Sequence, residues 1–325
     1  MTTPIRWGVL STALINGKLI AAARAATGVE LVAVASRNLA RARAYADKHG
    51  IPRPYGSYDE LLADPNLDAV YIPLPNALHH QWTLRALQAG KHVLCEKPYS
   101  RHPVEVTEAF DLAERNGLVL SEAYMWRYHP QTKTLAQLVQ DGAIGELRLI
   151  SASFTWPCDA PGDIRLDPTL DGGALLDVGC YCVSAARLLA GEPDAVQAQQ
   201  VTSNSGVDAL LTGQLRFSGG VLATFDCGLR VPDRSSLEVM GTEGTIVVSD
   251  PWHCLEPGLE LRLHGKPPEL VRGPRGDSYG LELEAMGAAI RGEQTSLLGR
   301  ADAVGQARTL AALLQAGLEA DRPVA

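Results

Sequence analysis

Ile5-Arg6-Trp7-Gly8-Val9-Leu10-Ser11-Thr12-Ala13 is the stretch whose reading decides the fold. Its first six residues, apolar apart from Arg6, form a buried strand, and the small residues behind them turn the chain into a helix that runs to about Ala26. The same grammar continues outward. Glu30–Ala35 is a second apolar strand and Leu39–His49 a second helix. Helix Tyr58–Ala63, strand Ala69–Pro73, helix His79–Ala89, strand His92–Cys95, helix Val104–Asn116 and strand Leu118–Ser121 follow. Apolar strands alternating with helices predict a parallel sheet covered on both faces and joined by right-handed crossovers, an α/β Rossmann domain.

Beyond about residue 123 the pattern changes. Extended runs at Leu147–Trp156, Val196–Thr202, Ala209–Phe217, Val221–Leu229, Leu237–Met240 and Thr245–Val248 are punctuated by Ser218-Gly219-Gly220 and Thr242-Glu243-Gly244, which read as hairpin turns. Helices at Gly173–Leu189, Tyr279–Arg291 and Ala301–Leu318 complete an α+β domain with an open, mainly antiparallel sheet. A chain of 325 residues exceeds the size at which one core keeps growing, so two domains are expected, 1–122 and 123–325.

A formal net charge of -8 without any long run of Lys and Arg argues against nucleic acid as a partner and favours a small polar substrate. No stretch approaches 18 consecutive apolar residues, so no membrane span is expected. Six cysteines in a chain of this length read as reduced thiols of a cytoplasmic protein. Cys180 and Cys182, two apart, do not make a metal site without a second pair.

A strand, a small-residue turn and a helix N-terminus form an anion site, because free backbone N–H groups point outward and the helix dipole favours negative charge. Here Gly8, then Ser11, Ala13 and Asn16, fall along the spacing of G-x-G-x-x-G/A, with serine and alanine where glycines are usual. At the end of the second strand an acid would bind the adenosine ribose of NAD. Between Leu31 and Ala46 there is no Asp or Glu, while Ser36, Arg37 and Arg41 offer a hydroxyl and guanidinium groups suited to a 2′-phosphate. NADP is therefore the expected cofactor, with NAD the alternative.

Glu96-Lys97-Pro98 follows the apolar strand ending at Cys95. A lysine at the C-terminal end of such a strand stands where open α/β sheets present ligands, and its ammonium can meet a substrate oxygen. Pro98 stops the strand, and Glu96 offers a counter-charge that favours the protonated amine.

These motifs, with Pro75-Asn76-Ala77-Leu78-His79-His80, Glu122-Ala123-Tyr124-Met125-Trp126-Arg127-Tyr128-His129-Pro130 and Gly172-Gly173-Ala174-Leu175-Leu176-Asp177-Val178-Gly179-Cys180-Tyr181, make the chain resemble the glucose-fructose oxidoreductase, inositol dehydrogenase and MocA-like family over essentially its whole length. It is most similar there to the branch of NADP-dependent xylose dehydrogenases, dimeric dihydrodiol dehydrogenases and sugar ketoreductases. The resemblance implies an oxidoreductase moving hydride between nicotinamide and a carbinol or carbonyl of a sugar, cyclitol or vicinal diol. It implies cofactor contacts from Gly8, Ser11, Thr12, Ala13, Leu14, Ile15, Ser36, Arg37, Arg41, Pro73, Leu74, Asn76, His79, Glu96, Lys97, Trp126 and Arg127. An exposed face of the expected antiparallel sheet invites pairing of subunits, so a homodimer or homotetramer through the C-terminal sheet is expected. Two departures stand out: the glycines lost from the nucleotide turn, and Tyr181 in the place where inositol dehydrogenase-type members carry a histidine. Other classes within the superfamily are a glycoside-cleaving enzyme that retains NAD and a noncatalytic nucleotide-sensing protein.

Hydride transfer needs a group to take the hydroxyl proton and a cation to steady the oxygen. Asp177 and Tyr181, four apart on one predicted helix, can face one cleft. A free tyrosine titrates near ~10, and a nearby ammonium lowers that value. Tyr181 is thus the expected acid/base, Lys97 orients the substrate oxygen, and Asp177 binds a neighbouring hydroxyl or holds Lys97. Trp126, Arg148, Phe154, Arg165 and Asp167 are the further candidates for the substrate wall.

Overall fold

The computed structural model describes residues 3–158, 160 and 162–320. Contacts divide the chain into two units, Met1–Tyr128 with Asp277–Val304, and His129–Gly276 with Gly305–Ala325.

The first unit alternates β1 (Ile5–Leu10), α1 (Asn16–Ala23), β2 (Val29–Ala35), α2 (Leu39–His49), β3 (Arg53–Tyr55), α3 (Tyr58–Leu62), β4 (Ala69–Ile72), α4 (His79–Gln88), β5 (His92–Glu96), α5 (Pro103–Arg115) and β6 (Leu120–Ala123). Its sheet runs β3-β2-β1-β4-β5-β6 with every pair parallel. That order is the one expected of a dinucleotide-binding sheet, and it reverses between β1 and β4. β3, only three residues long, was not legible as a strand because a proline stands at its centre.

In the second unit come α6 (Pro130–Gln140), β7 (Leu147–Thr155), α7 (Cys180–Ala190), β8 (Ala195–Thr202), β9 (Asp208–Arg216), β10 (Leu222–Gly228), β11 (Arg234–Gly241), β12 (Gly244–Val248), β13 (Leu259–Leu263) and β14 (Glu269–Val271). They form one eight-stranded sheet, ordered β14-β13-β12-β11-β7-β10-β9-β8. Only the β7–β10 pair is parallel, because β7 is inserted between strands that follow it in the chain. Both expected hairpin turns occur. Gly219 and Gly220, with φ of 72° and 78°, close β9 onto β10 in a conformation that side chains other than hydrogen resist. α6 escaped the sequence reading because its N-cap is His129, whose Nδ1 accepts the Gln131 N–H at 3.0 Å in place of the usual Ser or Asp.

The expected junction at residue 122 differs from the observed division. The first unit extends to Tyr128 and regains Asp277–Val304, which includes α8 (Ser278–Ile290). The reason is apolar burial: Leu283 and Met286 of α8 are fully buried in one cluster with Trp7, Val9, Leu19, Ile20, Val34, Tyr71 and Leu94. Each such side chain contributes roughly 1.5–3 kcal/mol when removed from water. α9 (Arg300–Ala320) then crosses the division between Val304 and Gly305. Among the described residues one helical run, Pro168–Ala190, is apolar and long enough to cross a membrane; 78% of its apolar window is buried inside the protein, as in a core helix.

Candidate active site

The sheet reversal places the loops after β1 and β4 side by side, the crevice where doubly wound sheets bind ligands. Ser11 spans it: its Oγ donates to the Pro73 carbonyl at 3.3 Å and accepts the Ala13 N–H at 3.2 Å, while its own carbonyl accepts from Asn16 Nδ2 at 2.9 Å. Its φ of 146° is a conformation in which glycine is usual. The missing glycines thus have a physical replacement, because a serine with three hydrogen bonds and a fully buried Asn16 hold the turn in its glycine-like shape. Gly8 keeps its own requirement: a Cβ there would lie 2.9 Å from Leu61 Cδ2. Leu14 is fully exposed over the turn, and Thr12, Ala13 and Ile15 are half-buried.

At the end of β2, Ser36 is buried and its N–H donates to the Tyr55 carbonyl at 3.1 Å. Arg37 and Arg41 are exposed, and among the described residues neither has an ion-pair partner. Burial pushes the Tyr58 phenol up, and these two guanidinium groups pull it back, which sets both near that ring. A turn bridged across the switch point, beside two guanidinium groups with no ion-pair partner among the described residues, fits a phosphorylated dinucleotide.

His79, expected among the cofactor contacts, is placed inside the protein. It is fully buried, with Nδ1 2.9 Å from the Pro98 carbonyl and Nε2 2.7 Å from that of Leu74. Burial lowers the imidazole to about 4 while the carbonyls of Pro98 and Leu74 raise it, and the ring acts as a tie between the β4 and β5 loops. Leu74 is buried beneath that tie, and Asn76 begins a single 3-10 turn before α4.

Lys97 follows the last residue of β5, and its peptide to Pro98 is cis. Glu96 accepts the Tyr71 hydroxyl and, at 3.2 Å, the Lys97 backbone N–H. α8 adds Tyr279 and Glu282 to this end of the sheet. Burial, and next the Glu96 charge, raise Tyr279, and the same two causes push Glu282 well above the carboxylate range. Trp126 is buried under the Arg127 guanidinium, 5.8 Å from its ring centroid, and Arg127 Nη1 lies 3.5 Å from Asp302 Oδ1.

In the second unit Asp177 lies in a π-helical turn, Leu175–Gly179, that runs directly into α7 and Tyr181, rather than in the regular helix predicted. Such turns recur at functional sites. Trp156 Nε1 donates to Asp177 Oδ2 at 3.0 Å and Arg165 Nε to Oδ1 at 3.1 Å; Arg165 also pairs with Asp163 at 3.2 Å. The Phe154 ring meets Tyr181 edge-on at 5.3 Å, stacks on Trp252 at 5.9 Å and meets His253 at 5.7 Å. Phe154, Arg165, Asp177 and Tyr181 therefore come together.

Of the other expected wall residues, Arg148 does not join them. Arg148 stands at the other end of β7, about 20 Å along the strand from Phe154 at 3.3 Å per residue, and pairs with Glu146. Asp167 accepts the Thr169 N–H at 2.8 Å and its hydroxyl at 2.6 Å, capping a short turn. Sequence reasoning missed Trp156, Trp252 and His253. Trp156 was legible through the period of two that links it to Phe154; Trp252 and His253 lie in a loop without periodic signal.

Residues 5–124 match the oxidoreductase family with an NAD-binding Rossmann fold, and residues 132–247 match the GFO/IDH/MocA C-terminal domain. A D-xylose 1-dehydrogenase (NADP(+)) from Haloferax volcanii is 40% identical over 95% of this chain and 96% of its own. A trans-1,2-dihydrobenzene-1,2-diol dehydrogenase from Sus scrofa is 35% identical over 77% of this chain and 76% of its own. Among solved structures, a 3-ketoreductase from Actinomadura kijaniata with NADP and TDP-benzene superimposes with a TM-score of 0.91 at 32% identity, covering 97% of this chain and 98% of its own. That ketoreductase has also been solved with a tyrosine replaced by phenylalanine and with a lysine replaced by alanine. The chain belongs to the GFO/IDH/MocA family of oxidoreductases.

Proposed function

We propose that this protein is an NADP(H)-dependent oxidoreductase that moves hydride between nicotinamide and a carbinol or carbonyl carbon of a sugar, cyclitol or vicinal diol. The observation that carries the reading is Lys97 at the C-terminal end of β5, beside the switch point of a dinucleotide-binding sheet. Arg37 and Arg41, exposed where an acid would select NAD, support the 2′-phosphate form. The phosphate-bearing dinucleotide, when bound, supplies the hydride donor or acceptor.

The chain's own residues handle the proton and the oxygen. Lys97 orients the reacting oxygen and balances negative charge on it. Tyr181 takes the hydroxyl proton in oxidation and returns it in reduction. Asp177, held by Trp156 and Arg165, offers its carboxylate to a neighbouring hydroxyl, and the half-buried Phe154 ring, backed by the buried Trp252, gives a carbon ring an apolar wall beside His253. In the ketoreductase, the substituted lysine and tyrosine are as far apart in sequence as Lys97 and Tyr181 are here, which supports these two roles. A cytoplasmic homodimer or homotetramer formed through the eight-stranded sheet belongs to the same reading. A shallow depression of about 240 Å3, floored by Ser151, Gly213 and Thr224, lies on that sheet.

The test is a scan of aldoses, cyclitols and vicinal diols with NADP and with NAD, following absorbance of the reduced cofactor. Turnover with NADP is expected. Aryl-glycoside cleavage without net cofactor reduction, or NADPH binding with no turnover of any member, would overturn the reading.

A further inference from the structure

We propose that Asp208 is a positioning residue, which fixes the start of the helical run carrying Asp177 and Tyr181 and so sets where the phenol stands. The proposal rests on the acid/base role proposed above for Tyr181.

Asp208 opens β9 and is 5% exposed. Its Oδ2 accepts the N–H of Leu175, the first residue of the π turn, at 2.7 Å. The turn before that contact is shaped around the carboxylate. Gly173 has φ 118°, and a Cβ on it would lie 1.9 Å from Asp208 Oδ1. A Cβ on Gly172 would lie 2.4 Å from the Arg165 carbonyl, which itself accepts the Gly173 N–H at 2.9 Å. One two-glycine turn thus couples three things: the Asp208 carboxyl, the Arg165 backbone, and the helix start. Arg165 in turn holds Asp177, whose N–H returns to the Gly173 carbonyl at 3.0 Å. Gly179, between Asp177 and Tyr181, is pressed on β10, where a Cβ would lie 2.7 Å from Cys227 Sγ.

A helix start needs an acceptor for its free N–H groups, and a serine or asparagine supplies one without a buried charge. Asp208 supplies a carboxyl instead, with no ion-pair partner among the described residues. Burial raises it to about 7, against the Leu175 and Ala174 N–H groups, which lower it. The groups that face it are otherwise neutral at pH 7. Cys227 on β10 is pushed well above the thiol range by burial and then by Asp208, Cys182 on α7, which acts on Cys227 rather than on Asp208, is likewise raised by burial, and β8 opposes Asp208 with Thr202. An ionised acceptor binds the Leu175 N–H more strongly than a protonated one, so the grip on the Tyr181 helix tightens as pH rises through neutrality.

The test compares wild type with Asp208→Asn and Asp208→Ala. Expected in Asp208→Asn is a kcat about tenfold lower with substrate KM and NADPH affinity nearly unchanged, and loss of the decline in kcat that wild type shows as pH falls through about 7. In Asp208→Ala the kcat falls further. Amide exchange, which needs no activity, is expected to be at least about tenfold faster in the peptide 173–182 of both variants and unchanged elsewhere. Wild-type kcat and pH profile in a folded Asp208→Asn, unchanged exchange of that peptide, or a loss of NADPH affinity as large as the loss of kcat would overturn the proposal. If neither variant folds, wild type alone decides: protection of the 174 and 175 amides, corrected for intrinsic rates, falls between pH 8 and pH 6, and constant protection refutes the role. A wild type that turns over nothing refutes the enzymatic reading, while the exchange measurement still judges Asp208.

Discussion

Tyr181 and Lys97 carry different parts of the proposed chemistry, and their substitutions should separate. Tyr181→Phe removes the proton carrier but leaves the ring packed on Phe154, so kcat is expected to fall about 10²–10⁴-fold with cofactor affinity intact. Lys97→Met should match that loss and also raise substrate KM; a variant of either kind with wild-type kcat removes it from the mechanism. Glu282 makes a prediction about stability. It is fully buried, and neither carboxyl oxygen has a hydrogen-bond partner among the described residues. Its folded pKa is raised, so its contribution is fully present below its unfolded value near 4.5 and is lost as pH rises. Glu282→Gln should therefore raise the denaturation midpoint at pH 7 and change little at pH 4.5. An equal effect at both pH values would show that the carboxyl is not protonated on folding. Neither this acid nor Asp208 was legible in the sequence, since burial of a single charged residue leaves no periodic trace.

The loop after β2 and helix α8 act as elements. Arg37 lies on an exposed loop with no ion-pair partner among the described residues, so Arg37→Ala should leave the fold unchanged and weaken NADP by about 10–100-fold while sparing NAD. A titration giving equal loss for both cofactors would place the guanidinium away from the phosphate. α8 was read correctly as a helix from its apolar period, but its partner was not readable. The residues it packs on, Trp7 and Tyr71, are more than 200 positions away. Met286→Ala should cost about 2–5 kcal/mol by opening a cavity in that core, read from urea unfolding followed through the first unit. The π turn at Leu175–Gly179 is a second difference of this kind. Asp177 and Tyr181 were legible as neighbours on one helix, while the widened turn depends on Asp208 and Cys227 pressing from strands later in the chain.

Across the whole molecule, the kind of each sheet followed from local grammar, parallel where apolar strands are spaced by helices and antiparallel where they alternate with Gly-rich turns, while β3, β13 and β14 and the strand orders did not. Light scattering that reports a monomer at all concentrations would remove the proposed assembly through the eight-stranded sheet. Strand and helix periods, the Gly8–Asn16 turn, the absence of acid after β2 and the Lys97 and Tyr181 motifs are properties of neighbouring residues, so the amino-acid order alone determined them. Tertiary structure alone decided that His79 is a buried tie, that Arg148 is far from Phe154, that Trp156 and Arg165 clasp Asp177, and that α8 returns to the first core. Each of these depends on which distant segments share a buried environment, because a side chain's charge state and hydrogen-bond partners are set by the groups packed around it.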